Sequence, residues 1–141
     1  MISKSGLTSV LLPLQRATHR TLHVLAAALA DLDLTPSEIN TLANLSDGRA
    51  RSVRELAADT GTRATTLTGV LDRLERRGHL TRQLDPADRR SFRLCLTDSG
   101  QAVAARVRDA VTGLEHDALA GLSADQLAGY HAVVSALQEV R

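Results

Sequence analysis

The stretch Ser52–Gly78, SVRELAADTGTRATTLTGVLDRLERRG, constrains the fold more than any other part of the chain. "SVRE" has the spacing of a capping box, with Ser52 as N-cap and Glu55 three residues on, and predicts a short helix to about Asp59. "TGT" follows, and Gly61 accepts the positive φ of a tight turn. A second helix is predicted from about Arg63 to Arg77, ended by Gly78. At 100° per residue its Leu67, Val70, Leu71 and Leu74 fall on one side. Two such helices joined by a glycine turn make a helix-turn-helix.

Apolar residues recur at helical spacing from Leu7 to Leu32, with Pro13 either kinking that helix or sitting in its first turn. "TPSE" at Thr35–Glu38 predicts a helix with Thr35 as N-cap, Pro36 at the first position and Glu38 reaching back to the cap. That helix should stop near Gly48. After Gly78, "LTRQL" and "SFRLCL" are β-patterned runs on either side of "DPADRR", a two-stranded hairpin with a long loop. Thr97 should cap a long helix from Asp98 to about Leu119, with a stripe of Val103, Val107, Ala110, Val111, Leu114 and Ala118. "SADQ" at Ser123–Gln126 opens a last helix carrying Leu127, Tyr130, Val134 and Leu137. Phe92 and Tyr130 are the only aromatic residues in a chain that is 43% apolar. Ala, Leu and Val therefore carry the packing, which favours helices. The expected fold class is mainly α: a winged helix-turn-helix with a two-stranded wing hairpin and long terminal helices. The expected organisation is residues 1–34 as an N-terminal dimerisation helix, 35–97 as the DNA-binding lobe and 98–141 as C-terminal dimerisation helices, all in one compact domain.

Net charge is only +1, but its distribution is uneven. Between Arg49 and Arg93 there are 11 basic residues against 6 acidic ones, leaving 6 basic and 10 acidic elsewhere. A cationic middle between acidic ends separates an anion-facing region from the rest, and nucleic acid is the expected polyanion. No apolar run approaches the roughly 18 residues that span a bilayer, so no membrane partner is expected and the location is read as cytoplasmic. A single cysteine, Cys95, excludes an internal disulfide and gives no zinc spacing. No nucleophile with a neighbouring base, phosphate loop or metal-ligand spacing is present, so neither an enzyme nor a cofactor or metal is expected.

The solvent face of the Arg63–Arg77 helix presents Thr65, Gly69, Asp72, Arg73 and Arg76, with Thr66 and Thr68 flanking. Short hydroxyl side chains suit base edges and thymine methyls, glycine admits close approach, and arginines reach phosphates or guanine. Arg54 and Arg63 complete the candidate contacts around this helix. Arg89 and Arg90 stand at the hairpin tip, where a core has no use for them and a minor groove has. Asp88 beside them is expected to orient an arginine by a charge-assisted hydrogen bond.

"LTPSE", "SVRELAADTGTRATTLTGVLDRLERRGHLTRQLDPADRRSFRLCLT" and "DSG" resemble the MarR family of winged-helix transcription regulators over Leu34–Gly100. The resemblance implies a homodimer that binds a pseudo-palindromic operator in double-stranded DNA and usually represses. It also implies that the Arg63–Arg77 helix enters the major groove and that Arg90, paired with Asp88, enters the minor groove. A small anionic or aromatic effector between the lobe and the dimer helices is implied too. Arg16, His19, Arg20 and His23, on one stretch of the first helix, are the candidate effector residues; two histidines are too few to indicate a metal. Cys95 lies in the second wing strand, not near the N-terminus where oxidant-sensing relatives place their cysteine, and is read as incidental. The alternative reading is a winged-helix protein-interaction module without productive DNA binding.

Overall fold

The computed structural model describes residues 8–141; Leu7, the first apolar residue expected in the opening helix, lies outside them. The elements in order are α1 (Leu11–Ala28), a 3-10 turn (Ala30–Leu32), α2 (Pro36–Leu45), β1 (Arg51–Ser52), α3 (Val53–Thr60), α4 (Ala64–Arg76), β2 (Leu80–Leu84), β3 (Phe92–Leu96), α5 (Asp98–Leu119) and α6 (Ala124–Gln138). The chain divides into two compact units, residues 1–111 and 112–141, the boundary falling within α5.

Local chemistry sets most of the boundaries in the first unit. Pro13 sits in the first turn of α1, where its missing N–H costs nothing. Ser52 and Glu55 form a complete capping box: Ser52 Oγ accepts from the Glu55 N–H at 3.1 Å and Glu55 Oε2 from the Ser52 N–H at 2.9 Å. Gly61 and Gly78 close α3 and α4 at φ +68° and +77°, which a side chain would strain. The cap at α2 differs from expectation. Thr35 Oγ1 accepts from the Glu38 N–H at 3.2 Å, but the Glu38 carboxylate turns inward, accepting from the Thr35 hydroxyl and from two arginines of α4 and its C-cap. A buried carboxylate needs cationic partners, and they outcompete the cap N–H.

The sheet also differs from expectation, because a third strand joins the hairpin in the order β1-β3-β2. Arg51 pairs with Leu94 and Ser52 with Arg93, antiparallel. This draws Arg51 into the fold at 8% exposure, where its guanidinium binds Asp47 at 2.5 and 2.9 Å and Asp59 at 2.7 Å. Arg51 and the Arg49 N–H hold the Asp47 carboxyl down to about 2.

Leu67, Val70, Leu71 and Leu74 of α4 are all buried, against Ile39 and Leu42 of α2, Leu56 of α3 and Leu80 of β2 among others in one aliphatic core. Full burial of each such side chain stabilises by about 1.5–3 kcal/mol. Beside this core the start of α5 is locked to the end of α4. Thr97 Oγ1 donates to the Gly78 carbonyl at 2.6 Å and accepts from the Gly100 N–H at 3.0 Å, and the Thr97 N–H reaches the His79 carbonyl at 3.1 Å. Gly100 is buried against that same carbonyl so closely that a Cβ would overlap it. Burial, then Arg77, lowers the His79 pKa, and its Nδ1 lies 2.6 Å from Ser99 Oγ.

The second unit holds the end of α5 and α6. Ser123 and Gln126 form the other complete capping box. Along α6, Leu127, Val134 and Leu137 are half-buried, Tyr130 is 52% exposed and no residue is buried. On the α5 portion, Leu114 is half-buried and Ala118 exposed. Among the described residues no helix is long and apolar enough to cross a membrane.

Candidate nucleic-acid interface

The 11 basic residues between Arg49 and Arg93 separate into two groups by what their guanidinium groups touch. Arg49, Arg51, Arg73, Arg77, Arg82 and Arg93 all make ion pairs. Arg77 is the most committed: besides Glu38 at 3.3 Å it donates to the Leu32 carbonyl at 2.7 Å and the Asp33 carbonyl at 2.9 Å, clamping the end of α4 to the segment before α2. Arg82 bridges β2 to Asp72 and Glu75 of α4. Arg54, Arg63, Arg76, Arg89 and Arg90 are exposed and make no ion pair among the described residues. Within this stretch these five are the cations available to an outside anion, and all stand on the helix-turn-helix or the wing; Arg16 and Arg20 of α1 are likewise exposed and make no ion pair among the described residues.

Sequence reasoning could not see this sorting. Arg73, a candidate contact, shares the Glu38 carboxylate at 3.4 Å and is half-exposed. Its charge is therefore partly spent within the lobe. On the same face, Thr65, Thr66, Thr68 and Gly69 are all exposed. The Thr68 hydroxyl is committed to the Ala64 carbonyl at 2.9 Å, whereas those of Thr65 and Thr66 make no hydrogen bond among the described residues. A Cβ at Gly69 would meet nothing within 4 Å, so the protein's own packing does not require glycine there.

The loop between β2 and β3 is built from two successive aspartate-anchored turns. Asp85 Oδ1 accepts from the Ala87 N–H at 2.9 Å, and Asp88 Oδ1 accepts from the Arg90 N–H at 3.0 Å. The Ser91 N–H closes the second turn on the Asp88 carbonyl at 3.1 Å. Asp88 thus fixes the Arg90 backbone, not a guanidinium as the sequence suggested; a main-chain N–H two residues on is the nearer partner for a short carboxylate. Arg89 and Arg90 are left exposed at the tip.

A crevice of about 440 Å³ opens at the base of the wing, lined by Arg49, Arg51, Glu55, Asp59, Asp85 and Arg93 among others. Its three arginines are balanced by three carboxylates, so it has no net preference for an anion. Arg16, His19, Arg20 and His23 do not line it; all four are exposed along α1. Among the described residues no group of three or more His, Cys, Asp or Glu is placed to hold a metal. Cys95 is half-buried in β3, paired in register with Thr81.

Residues 32–91 match the model of the MarR family. An uncharacterized HTH-type transcriptional regulator of Bacillus subtilis (strain 168), YcgE, is 35% identical over 64 residues, 45% of this chain and 42% of that protein's length. The match therefore spans less than half of that relative. Among solved structures, NadR in complex with 4-hydroxyphenylacetate superposes with a TM-score of 0.84 at 20% identity, covering 100% of both chains. CouR from Rhodococcus jostii RHA1, bound to p-coumaroyl-CoA, gives 0.83 at 20% identity over 100% of this chain and 98% of that one. BpsR of Bordetella bronchiseptica, whose DNA binding is regulated by 6-hydroxynicotinic acid, gives 0.75 at 25% identity over 92% and 98%. The family match takes in α2, the capped helix-turn-helix, β2 and the wing-tip arginines, so over residues 32–91 this chain is similar to the winged-helix regulators of the MarR family.

Proposed function

We propose that the chain is a homodimeric, sequence-specific DNA-binding transcription regulator, a ligand-responsive repressor acting in the cytoplasm on a pseudo-palindromic operator. The observation that carries this reading is the sorting of the 11 arginines between Arg49 and Arg93: the five that make no ion pair among the described residues all lie on the helix-turn-helix or the wing. In this reading α4 enters the major groove, with Arg63, Thr65, Thr66, Thr68 and Gly69 toward the bases and Arg73 and Arg76 toward the backbone. Arg54 contacts phosphate, and Arg89 and Arg90 enter the adjacent minor groove.

One lobe reads only a few base pairs, so specificity calls for two, on half-sites about 34 Å apart. Two apolar sets favour self-association: Val10, Leu11 and Leu12 at the start of α1, and Leu119, Leu122, Tyr130 and Val133 in the second unit, each 38–57% exposed in the single chain. Residues 1–34 and 98–141 are therefore assigned to dimerisation and 35–97 to DNA. The small molecules named with NadR, BpsR and CouR all carry an aromatic ring, which favours an anionic aromatic effector here; Arg16, His19, Arg20 and His23 are its proposed contacts.

Selection of bound sequences from random duplex DNA tests the reading. The expected result is an inverted repeat with half-site centres one helical turn apart, bound by a dimer. Failure to enrich any sequence, with the protein sedimenting as a monomer, would overturn it.

A further inference from the structure

The wing carries an apolar surface that its own core does not use. In the register of the hairpin, Leu80 faces Leu96, Arg82 faces Leu94 and Leu84 faces Phe92, so these six side chains share one face. At the inner end that face is core, with Leu80 and Leu94 at 1% and 0% exposure. In the middle, Arg82 reaches across to Asp72 and Glu75, so the face is turned toward α4. At the outer end the apolar pattern continues past the edge of the core, leaving Leu84 59% and Phe92, the chain's only phenylalanine, 47% exposed. These two are the last rung before the turn that holds Arg89 and Arg90.

We infer that Leu84 and Phe92 form an apolar contact for the deoxyribose wall of the minor groove, seated by the guanidinium groups of Arg89 and Arg90 in the adjoining turn. The inference rests on the DNA-binding reading above and deepens it. A groove wall alternates anionic phosphate with the C–H face of a sugar, and the wing tip offers the complement of both within one turn: two unpaired cations and a cross-strand Leu–Phe pair. Apolar side chains are a recurrent means of gripping the minor groove. Pinning the strand register accounts for a matched pair, which any two β-formers supply, but not for extending large apolar side chains beyond the core on the side facing α4. Because ribose adds a 2′-hydroxyl to that wall, the contact also selects DNA over RNA duplexes.

Fluorescence anisotropy on a selected operator, across a salt series, tests this with Phe92→Thr, Leu84→Thr, Phe92→Leu and Arg90→Ala. Threonine keeps strand propensity while removing the apolar surface. Phe92→Thr is expected to weaken operator binding by the dimer roughly 10- to 150-fold at every salt concentration, the loss expected when burial of roughly half a Phe side chain is forfeited in each protomer. Its log-log salt slope stays that of the unmodified protein, because no phosphate contact is removed. Leu84→Thr should lose about threefold and Phe92→Leu less than that. If both threonine variants bind like the unmodified protein while Arg90→Ala lowers the slope, the inference fails and the DNA-binding reading survives. If the unmodified protein binds no duplex at any salt, the reading itself fails. Threonine variants that keep full DNA affinity but lose control of a purified transcription reaction would assign the pair to a protein partner, and also overturn the inference.

Discussion

Replacing Gly69 by alanine is expected to stabilise the protein and weaken its hold on DNA. Gly69 lies inside α4, a 13-residue helix, on the exposed face, and its φ is not among the positive ones. An added Cβ would meet no atom of the protein within 4 Å. The substitution therefore carries no packing penalty and gains the helix propensity of alanine over glycine, about 0.5–1 kcal/mol. For a chain of this size that raises Tm by about 2–5 °C, read by circular dichroism on heating. On the operator the sign reverses. In the proposed docking a methyl on this face would lift the helix from the groove and loosen its neighbours Thr65 and Thr66, with an expected loss of about 1–3 kcal/mol, or roughly 5- to 150-fold in Kd. Anisotropy titration of both proteins on one operator measures it. A variant with higher Tm and affinity within twofold would refute close approach at Gly69. A lower Tm would refute the account of α4 as a helix whose glycine is free of internal constraint.

Other substitutions probe separate parts of the account. Arg90→Ala should leave Tm unchanged, because a wing-tip side chain supports no core, and should make the log-log salt slope of dimer binding shallower by about two, one phosphate-scale contact per protomer. Gly100→Ala forces a methyl into the His79 carbonyl and should cost about 2–3 kcal/mol in urea unfolding. Glu38→Gln removes the charge facing Arg73 and Arg77; since those arginines are 45% and 36% exposed and rehydrate, the cost should be about 1–3 kcal/mol, below that of breaking a fully buried pair. The Asp47 carboxyl, held near 2 when folded, binds protons more weakly than in the unfolded chain. Its stabilisation is present above about pH 4 and lost as pH falls toward 2, so the acid limb of Tm against pH should flatten in Asp47→Asn.

The helix starts were legible because capping is settled within four residues: Ser52 with Glu55 and Ser123 with Gln126 close as their spacing requires. The glycine stops at Gly61 and Gly78 were legible for the same reason. At Thr35 the local rule was half right, since Glu38 had a stronger claim from arginines nearly forty positions away. The two-residue strand Arg51–Ser52 left no trace, being too short to show alternation and depending on a partner more than forty residues on. Phe92, Leu94 and Leu96 share one face of β3, yet burial follows the extent of the core beneath, and only Leu94 is fully covered. The arginine count located the cationic region without showing how much of it is neutralised. Pairing of Arg51, Arg77 and Arg82 is a tertiary fact, and it reduces a patch of 11 basic residues to five available ones.

The central claim is that five unpaired guanidinium groups on each of two protomers hold the protein on duplex DNA. The direct measurement is the dependence of operator affinity on salt. With each neutralised phosphate contributing about −0.9, the log-log slope should lie between roughly −4 and −9, steep but bounded by the ten unpaired guanidinium groups of the two helix-turn-helix lobes and wings. A slope near zero, or no binding even in dilute buffer, would contradict it.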